Sequence, residues 1–203
     1  MGLSKREQTR RHISAEAYAL FEAQGYDNTT VAQIAKSAGV SHMTFFRNFP
    51  TRAHVLISDI DIPLLIRLVS SAPLHMGALE CLCWTFLKFI RVVDGRSRDK
   101  VRRHLLVVAN SDGLGSEMFG PNSALMHRIA GALAGRGVGE WEARTVTCAV
   151  LGGIGGALNQ WADFDSETDL VYLSDVVAKA LLPDVNARDR VYRDLQGETT
   201  ILG

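Results

Sequence analysis

What the chain lacks narrows the field first. Three cysteines (Cys81, Cys83 and Cys148) in 203 residues are an odd count in a chain too large to need staples, so free thiols in a reducing cytoplasm are expected. The pair Cys81-x-Cys83 lacks the usual Cys-x-x-Cys spacing of a zinc framework, so a Cys/His metal site completed by Cys148 or His104 is disfavoured. Gly113-x-Gly115 lacks the third glycine of a dinucleotide fingerprint, since position 118 is methionine, and no Gly-x-Ser-x-Gly elbow occurs. These absences leave an enzyme with no catalytic residues to name, no metal and no cofactor. The net charge of zero argues against a wholesale polyanion binder. The longest prominent uncharged stretch, 145–162, is eighteen residues diluted by four glycines, Asn159 and Gln160; it reads as a buried helix and not a membrane span. The start is charged from Lys5 to Arg11, so no signal peptide is expected.

Charge is present, but unevenly. Residues 1–56 hold seven Lys/Arg against four Asp/Glu, and the remainder fifteen against eighteen. A basic head on an acidic body suits a local nucleic-acid face. Hydrophobic residues make up 47%, enough for a sizeable core, and no hairpin signal appears, so the fold class is all-α. The expected division is a head at 1–62 and a larger helical domain at 63–203.

Residues 4–24 read as an amphipathic helix stopped by Gly25. Thr30 with Gln33 is a capping box opening a second helix, and Ser41 is an N-cap for a third. Between them Gly39-Val40 forms a tight turn, with small Ala35 four residues earlier where two helices would cross. Residues 30–49 thus read as a helix-turn-helix with a core of Phe21, Ile34, Val40, Phe45 and Phe49. A fourth helix, capped by Thr51, is expected to run through Val55, Leu56 and Ile60 until Pro63 kinks or interrupts it. Further on, one helix is expected to stop at Asp94-Gly95 and a basic helix to follow at about 97–110, with Arg102, Arg103 and His104 outside. Residues 111–122 read as a loop able to close over a site, and helices are expected at about 123–135, 140–162 and 168–182. No element is read in the polar 184–203.

Residues 10–56 resemble the DNA-binding domain of TetR-family transcriptional regulators. The resemblance rests on Phe21, Gly25-Tyr26, Thr29-Thr30-Val31, Ile34-Ala35, Gly39-Val40-Ser41, Thr44-Phe45-Phe46, Phe49-Pro50, Arg52 and Leu56. It implies a third helix in the major groove of double-stranded DNA, with His42, Met43 and Phe46 at base edges. Thr30 and Thr44 are placed for phosphates, with backbone amides at the helix starts near Ser41. Arg52 stands where the family usually has a lysine touching the backbone, and Arg10 and Arg11 lie near a flanking phosphate. Two departures stand out. Phe46 replaces a usual tyrosine, removing a hydroxyl, and Asn48 replaces a more common aromatic or histidine, with Arg47 free to compensate electrostatically.

The resemblance also implies a homodimer on a palindromic operator, release by a small-molecule effector, repression by default and a cytoplasmic protein. Gly152, Gly153, Gly156 and Ala157 permit close helix approach, and Leu170, Leu173, Val177 and Leu181 supply an apolar stripe for pairing. Trp84, Phe86, Phe89, Met118, Phe119, Met126 and Trp161 are the large apolar candidates for an effector pocket, with Arg102 able to meet an anionic end of an apolar or amphipathic ligand. A body serving as a protein-interaction module without a ligand is the competing reading.

Overall fold

The structure, a computed structural model, describes residues 4–58, 60–119, 123–164 and 170–197, and the side chains of all of these except 93–101, 116, 119, 162–164, 170 and 197. The described residues are helical, without a strand. The head contains α1 (Lys5–Gln24), α2 (Val31–Ser37), α3 (His42–Asn48) and α4 (Ala53–Ile57). The body contains α5 (Ile62–Ser71), α6 (Ala78–Ala109), α7 (Leu114–Phe119), α8 (Ala124–Ala134), α9 (Glu140–Phe164), α10 (Leu170–Leu181) and α11 (Val185–Gly197). No helix among the described residues is long and apolar enough to cross a membrane.

Local signals set the head's short helices. Ser4 and Glu7 cap α1 reciprocally, Thr30 and Gln33 do the same for α2, and the Ser41 hydroxyl accepts from the Thr44 amide at 3.1 Å. Gly25 closes α1, its amide donating to the Phe21 carbonyl. At the corner, Gly39 sits at φ +60° while its amide donates to Lys36 O (3.1 Å) and the Val40 amide to Ala35 O (2.9 Å). That pair of bonds is a Schellman ending, and its positive φ is why a glycine stands there. Phe21, Ile34, Phe45 and Phe49 are buried around the corner, with Val40 half-buried beside them.

The head core does not close on itself. Val107 and Val108 from the end of α6, with Leu114 and Met118 from α7, belong to the same buried cluster as Ile13, Phe45 and Leu56. The second cluster is the body's own, built from α5, α6, α8, α9, α10 and α11 around Leu65, Trp84, Met126 and Leu151. One helix therefore contributes to both cores. α6 has 32 residues and spans about 48 Å at roughly 1.5 Å per residue.

Several elements differ from expectation for identifiable reasons. The helix does not stop at Asp94-Gly95, because a glycine inside a helix costs only about 1 kcal/mol while both ends of α6 are anchored by burial. Pro63 does not kink a helix; it lies in the first turn of α5, where a missing N–H costs nothing, and Asp61 caps that turn by accepting from the Leu64 amide at 2.9 Å. α4 ends at Ile57, short of Ile60; Arg52 holds its N-cap position, and the Thr51 hydroxyl, as expected of a cap, accepts from the His54 amide at 3.4 Å. Part of the expected loop is α7, whose Leu114 and Met118 are buried. The polar tail forms α11, because Ala187, Val191 and Leu195 recur every four residues on one buried face. His104 is buried, not outside: its Nδ1 lies 2.8 Å from the Tyr18 hydroxyl of α1.

Candidate nucleic-acid interface

The corner holds α3 against α2, and α3 exposes one face. Phe45 and Asn48 of α3, and Phe49 just beyond it, are buried, whereas His42, Met43, Phe46 and Arg47 face solvent. Neither α2 nor α3 carries an acidic residue, and Lys36 and Arg47 supply positive charge. The Phe46 ring is held edge-on by Phe45 (centroids 5.6 Å) and by His42 (6.2 Å).

The remaining candidates divide by direction. Thr30 and Ser41 are exposed at the starts of α2 and α3, and the half-buried Thr44 lies with its hydroxyl 3.0 Å from that of Ser41. Arg11 is exposed beside Glu7, whose carboxyl is held below the usual range by hydrogen bonds from Ser4. Arg10 is half turned inward: it donates to the Asn48 carbonyl at 2.7 Å and lies over the Phe49 ring at 4.4 Å.

Two residues expected near DNA face the protein. Asn48 is 8% exposed and its amide donates to the Thr44 carbonyl at 2.8 Å, closing the end of α3. Arg52 donates through Nη1 to the carbonyls of Tyr26 (2.7 Å), Asp27 (3.2 Å) and Thr29, stacks on the Tyr26 ring at 4.0 Å and reaches Asp27 Oδ1 at 3.7 Å. Its guanidinium clasps the loop between α1 and α2 instead of pointing at solvent. Carbonyls have no sequence signature, so nothing in the chain announced this role. Tyr26 is packed beneath that guanidinium, and burial pushes its phenol up.

The pocket candidates do not converge. Trp84 and Met126 are fully enclosed in the body core, with Phe86 and Phe89 half-buried against it. Met118 belongs to the head core, and Trp161 to a small third cluster with Leu158. Arg102 is half-buried on α6, and the Phe119 side chain lies outside the described residues.

The pairing candidates also separate. A Cβ on Gly153 would meet Leu181 at 3.6 Å and Val177 at 3.7 Å, so this glycine serves contact between α9 and α10 within the chain. Leu173 packs in the third cluster, Ala157 is half-buried and the Leu170 side chain lies outside the described residues. A Cβ on Gly152 or Gly156 would meet nothing within 4 Å. They continue an exposed uncharged line on α9 through Trp141, Thr145, Ala149 and Asn159, beside the exposed Tyr172 and Val176 of α10. Tyr172, Val176 and Trp141 escaped sequence reasoning, although Trp141 falls in register with the glycines at helical spacing.

A capped helix, a Schellman corner and a second short helix with one solvent-exposed, acid-free face define a helix-turn-helix, the architecture of a DNA-binding regulator. The family model for bacterial regulatory proteins of the tetR family matches residues 13–58. The chain is also 32% identical over 198 residues to the HTH-type transcriptional regulator TcmR of Streptomyces glaucescens, covering 89% of this chain and 85% of that protein. The chain belongs to the TetR family of transcriptional regulators. Its fold is similar to NalD, the secondary repressor of the MexAB-OprM multidrug efflux pump in Pseudomonas aeruginosa (TM-score 0.54, 21% identity, 93% of this chain and 97% of that one). It is also similar to Thermus thermophilus FadR, a TetR-family repressor solved with lauroyl-CoA (TM-score 0.50, 22% identity, 87% and 94% covered).

Proposed function

We propose that this protein is a homodimeric cytoplasmic repressor that grips a palindromic operator through two copies of α3 and releases it when the body binds a small apolar or amphipathic molecule. The functional division runs near residue 62, with the head reading DNA and the body pairing and sensing. The observation that carries the reading is the exposed, acid-free face of α3 on a corner whose other side is fully buried. His42, Met43, Phe46 and Arg47 face the groove, while Thr30, Ser41, Thr44 and Arg11 lie where phosphates run. Arg52 and Asn48 act from behind, holding the loop and the end of α3.

Pairing is supported by the line from Trp141 to Asn159 on α9. An exposed helix face without a charge, floored by Gly152 and Gly156, suits close approach of a second copy across a two-fold axis. Two heads then meet half-sites one helical turn apart, roughly 34 Å. Release requires an effector that binds the DNA-incompetent arrangement better than the competent one. α6 is the physical link, because its two ends belong to the two cores.

The test has three parts. Light scattering is expected to give twice the chain mass, and a monomer would remove the dimer. Enrichment from random-sequence DNA is expected to return a two-fold symmetric site. Lauroyl-CoA, the ligand of the FadR relative, is the first amphipathic probe for displacement of that DNA; failure of a panel of acyl and aromatic compounds to displace it would favour a body that docks protein instead.

A further inference from the structure

α3 has seven residues, and the protein itself occupies many of their polar groups. The Thr44 hydroxyl pairs with Ser41, and the Asn48 amide is bonded to the Thr44 carbonyl. Two of the four residues left facing solvent are large and apolar: Met43 is 70% exposed and Phe46 48%. They are three residues apart and so share one helix face. The Phe46 ring is not loose on that face, since Phe45 and His42 brace it edge-on. Lys36 and Arg47 lie on α2 and α3, which carry no acid of their own (Glu16 of α1 accepts from the Ser37 hydroxyl), so the complement of this patch is negatively charged and apolar at one point.

The major groove offers such a point. Its edges carry hydrogen-bond donors and acceptors except at thymine, whose 5-methyl group is apolar and projects into the groove. We propose that Met43 and Phe46 read thymine 5-methyl groups, so that this head gains specificity by burying methyls as well as by hydrogen bonding. The inference rests on the reading of α3 as the groove helix. It explains why a DNA-facing helix exposes a thioether and a phenyl ring where a purely electrostatic grip would use neither.

The experiment uses the full chain and the DNA enriched from random sequence. Each thymine of a half-site is replaced, one at a time, by deoxyuridine, which keeps its base pairing and removes only the methyl. Affinity is expected to fall about fourfold at one or two positions, the equivalent of about 0.8 kcal/mol for a buried methyl-sized group. In Met43→Ala, and separately in Phe46→Ala, one of those positions is expected to become indifferent to the methyl while the salt dependence of binding stays unchanged. An operator without half-site thymines, or one whose thymines all tolerate deoxyuridine, would overturn the inference while leaving DNA binding intact. Deoxyuridine sensitivity that persists in both variants would also overturn it. Should a variant bind too weakly to measure, the deoxyuridine scan of the unaltered protein decides alone. No enriched sequence at all would overturn the groove-helix reading itself.

Discussion

Head and body solve the same problem with different means, and two arginines show it. In the head, Arg52 gathers the carbonyls of Tyr26, Asp27 and Thr29. In the body, Arg136 gathers those of Val69, Ser70, Ala72 and Pro73 at 2.8–3.3 Å, closing the end of α5. Both guanidiniums converge on carbonyls clustered at a helix end or loop, two of which, Tyr26 O and Pro73 O, also accept a backbone amide. The difference lies in what surrounds them. The head's α2 and α3 have seven residues each and are capped by Thr30 and Ser41, so Arg52 completes a unit whose local geometry is already specified. The body's α6 has 32 residues and carries both an internal glycine and residues of two cores. There, burial and not capping decides where the helix runs. A short helix is set by its ends, a long one by what covers it.

The comparison breaks most sharply where the two regions share a core. Leu114→Ala removes a fully buried side chain of α7 from the head's cluster. It is expected to cost about 2–5 kcal/mol and to abolish operator binding, measured by denaturant unfolding and by titration with DNA. Binding that survived a large loss of stability would mean that the head folds without the body's support.

Next come the two arginines themselves. Arg52→Ala and Arg136→Ala are each expected to cost about 2–3 kcal/mol, as lost charge-assisted bonds to clustered carbonyls. Only Arg52→Ala should weaken DNA binding at a given temperature, and it should leave the salt slope unaltered. A slope flattened by about one unit would put Arg52 on a phosphate after all. Lysine should rescue neither fully, since an ammonium lacks the second nitrogen that reaches Asp27 or Pro73 and the planar face that stacks on Tyr26.

Glycines give a smaller, opposite-signed pair. Gly39→Ala is expected to cost about 1 kcal/mol despite open space around it, because its φ is +60°. Gly153→Ala should be neutral or stabilising by up to about 1 kcal/mol, since its Cβ would make ordinary contact with Leu181 inside α9. Thermal melts of both variants check the sign.

The thiols give the smallest effect. Burial pushes the Cys83 thiol up from 9.0 to about 12 and raises Cys81 as well, so an alkylating reagent at pH 8 should reach only the half-buried Cys148 until the body unfolds. The linkage has a definite sign. The folded state keeps the Cys83 proton where the unfolded chain loses it, so this contribution is whole below pH 9 and is lost progressively as pH rises towards about 12. Rapid labelling of Cys83 in the folded protein would contradict the packing of α6.

Much of the head was legible because its signals are local. Thr30 with Gln33, Ser41, Gly25 and Gly39 each specify an end or a turn within four or five residues, and the structure has each doing so. The body was legible only in outline. Ala187, Val191 and Leu195 carry a helical period, but the polar residues between them mask it. The burial of His104 had no such period to show, because its partner Tyr18 lies 86 residues away.

Taken alone, the sequence determined the all-α fold class, the corner at Gly39 and the exposure of His42, Met43 and Phe46 on α3, since caps, turn glycines and apolar spacing act over a single turn of helix. Tertiary structure decided which polar groups turn inward. Arg52, Asn48 and His104 read as surface residues by type, yet each has partners that only the folded chain brings within reach. It also decided that α6 is one helix joining two cores: residues far apart in sequence bury its ends, and that burial outweighs a local preference to stop at Gly95.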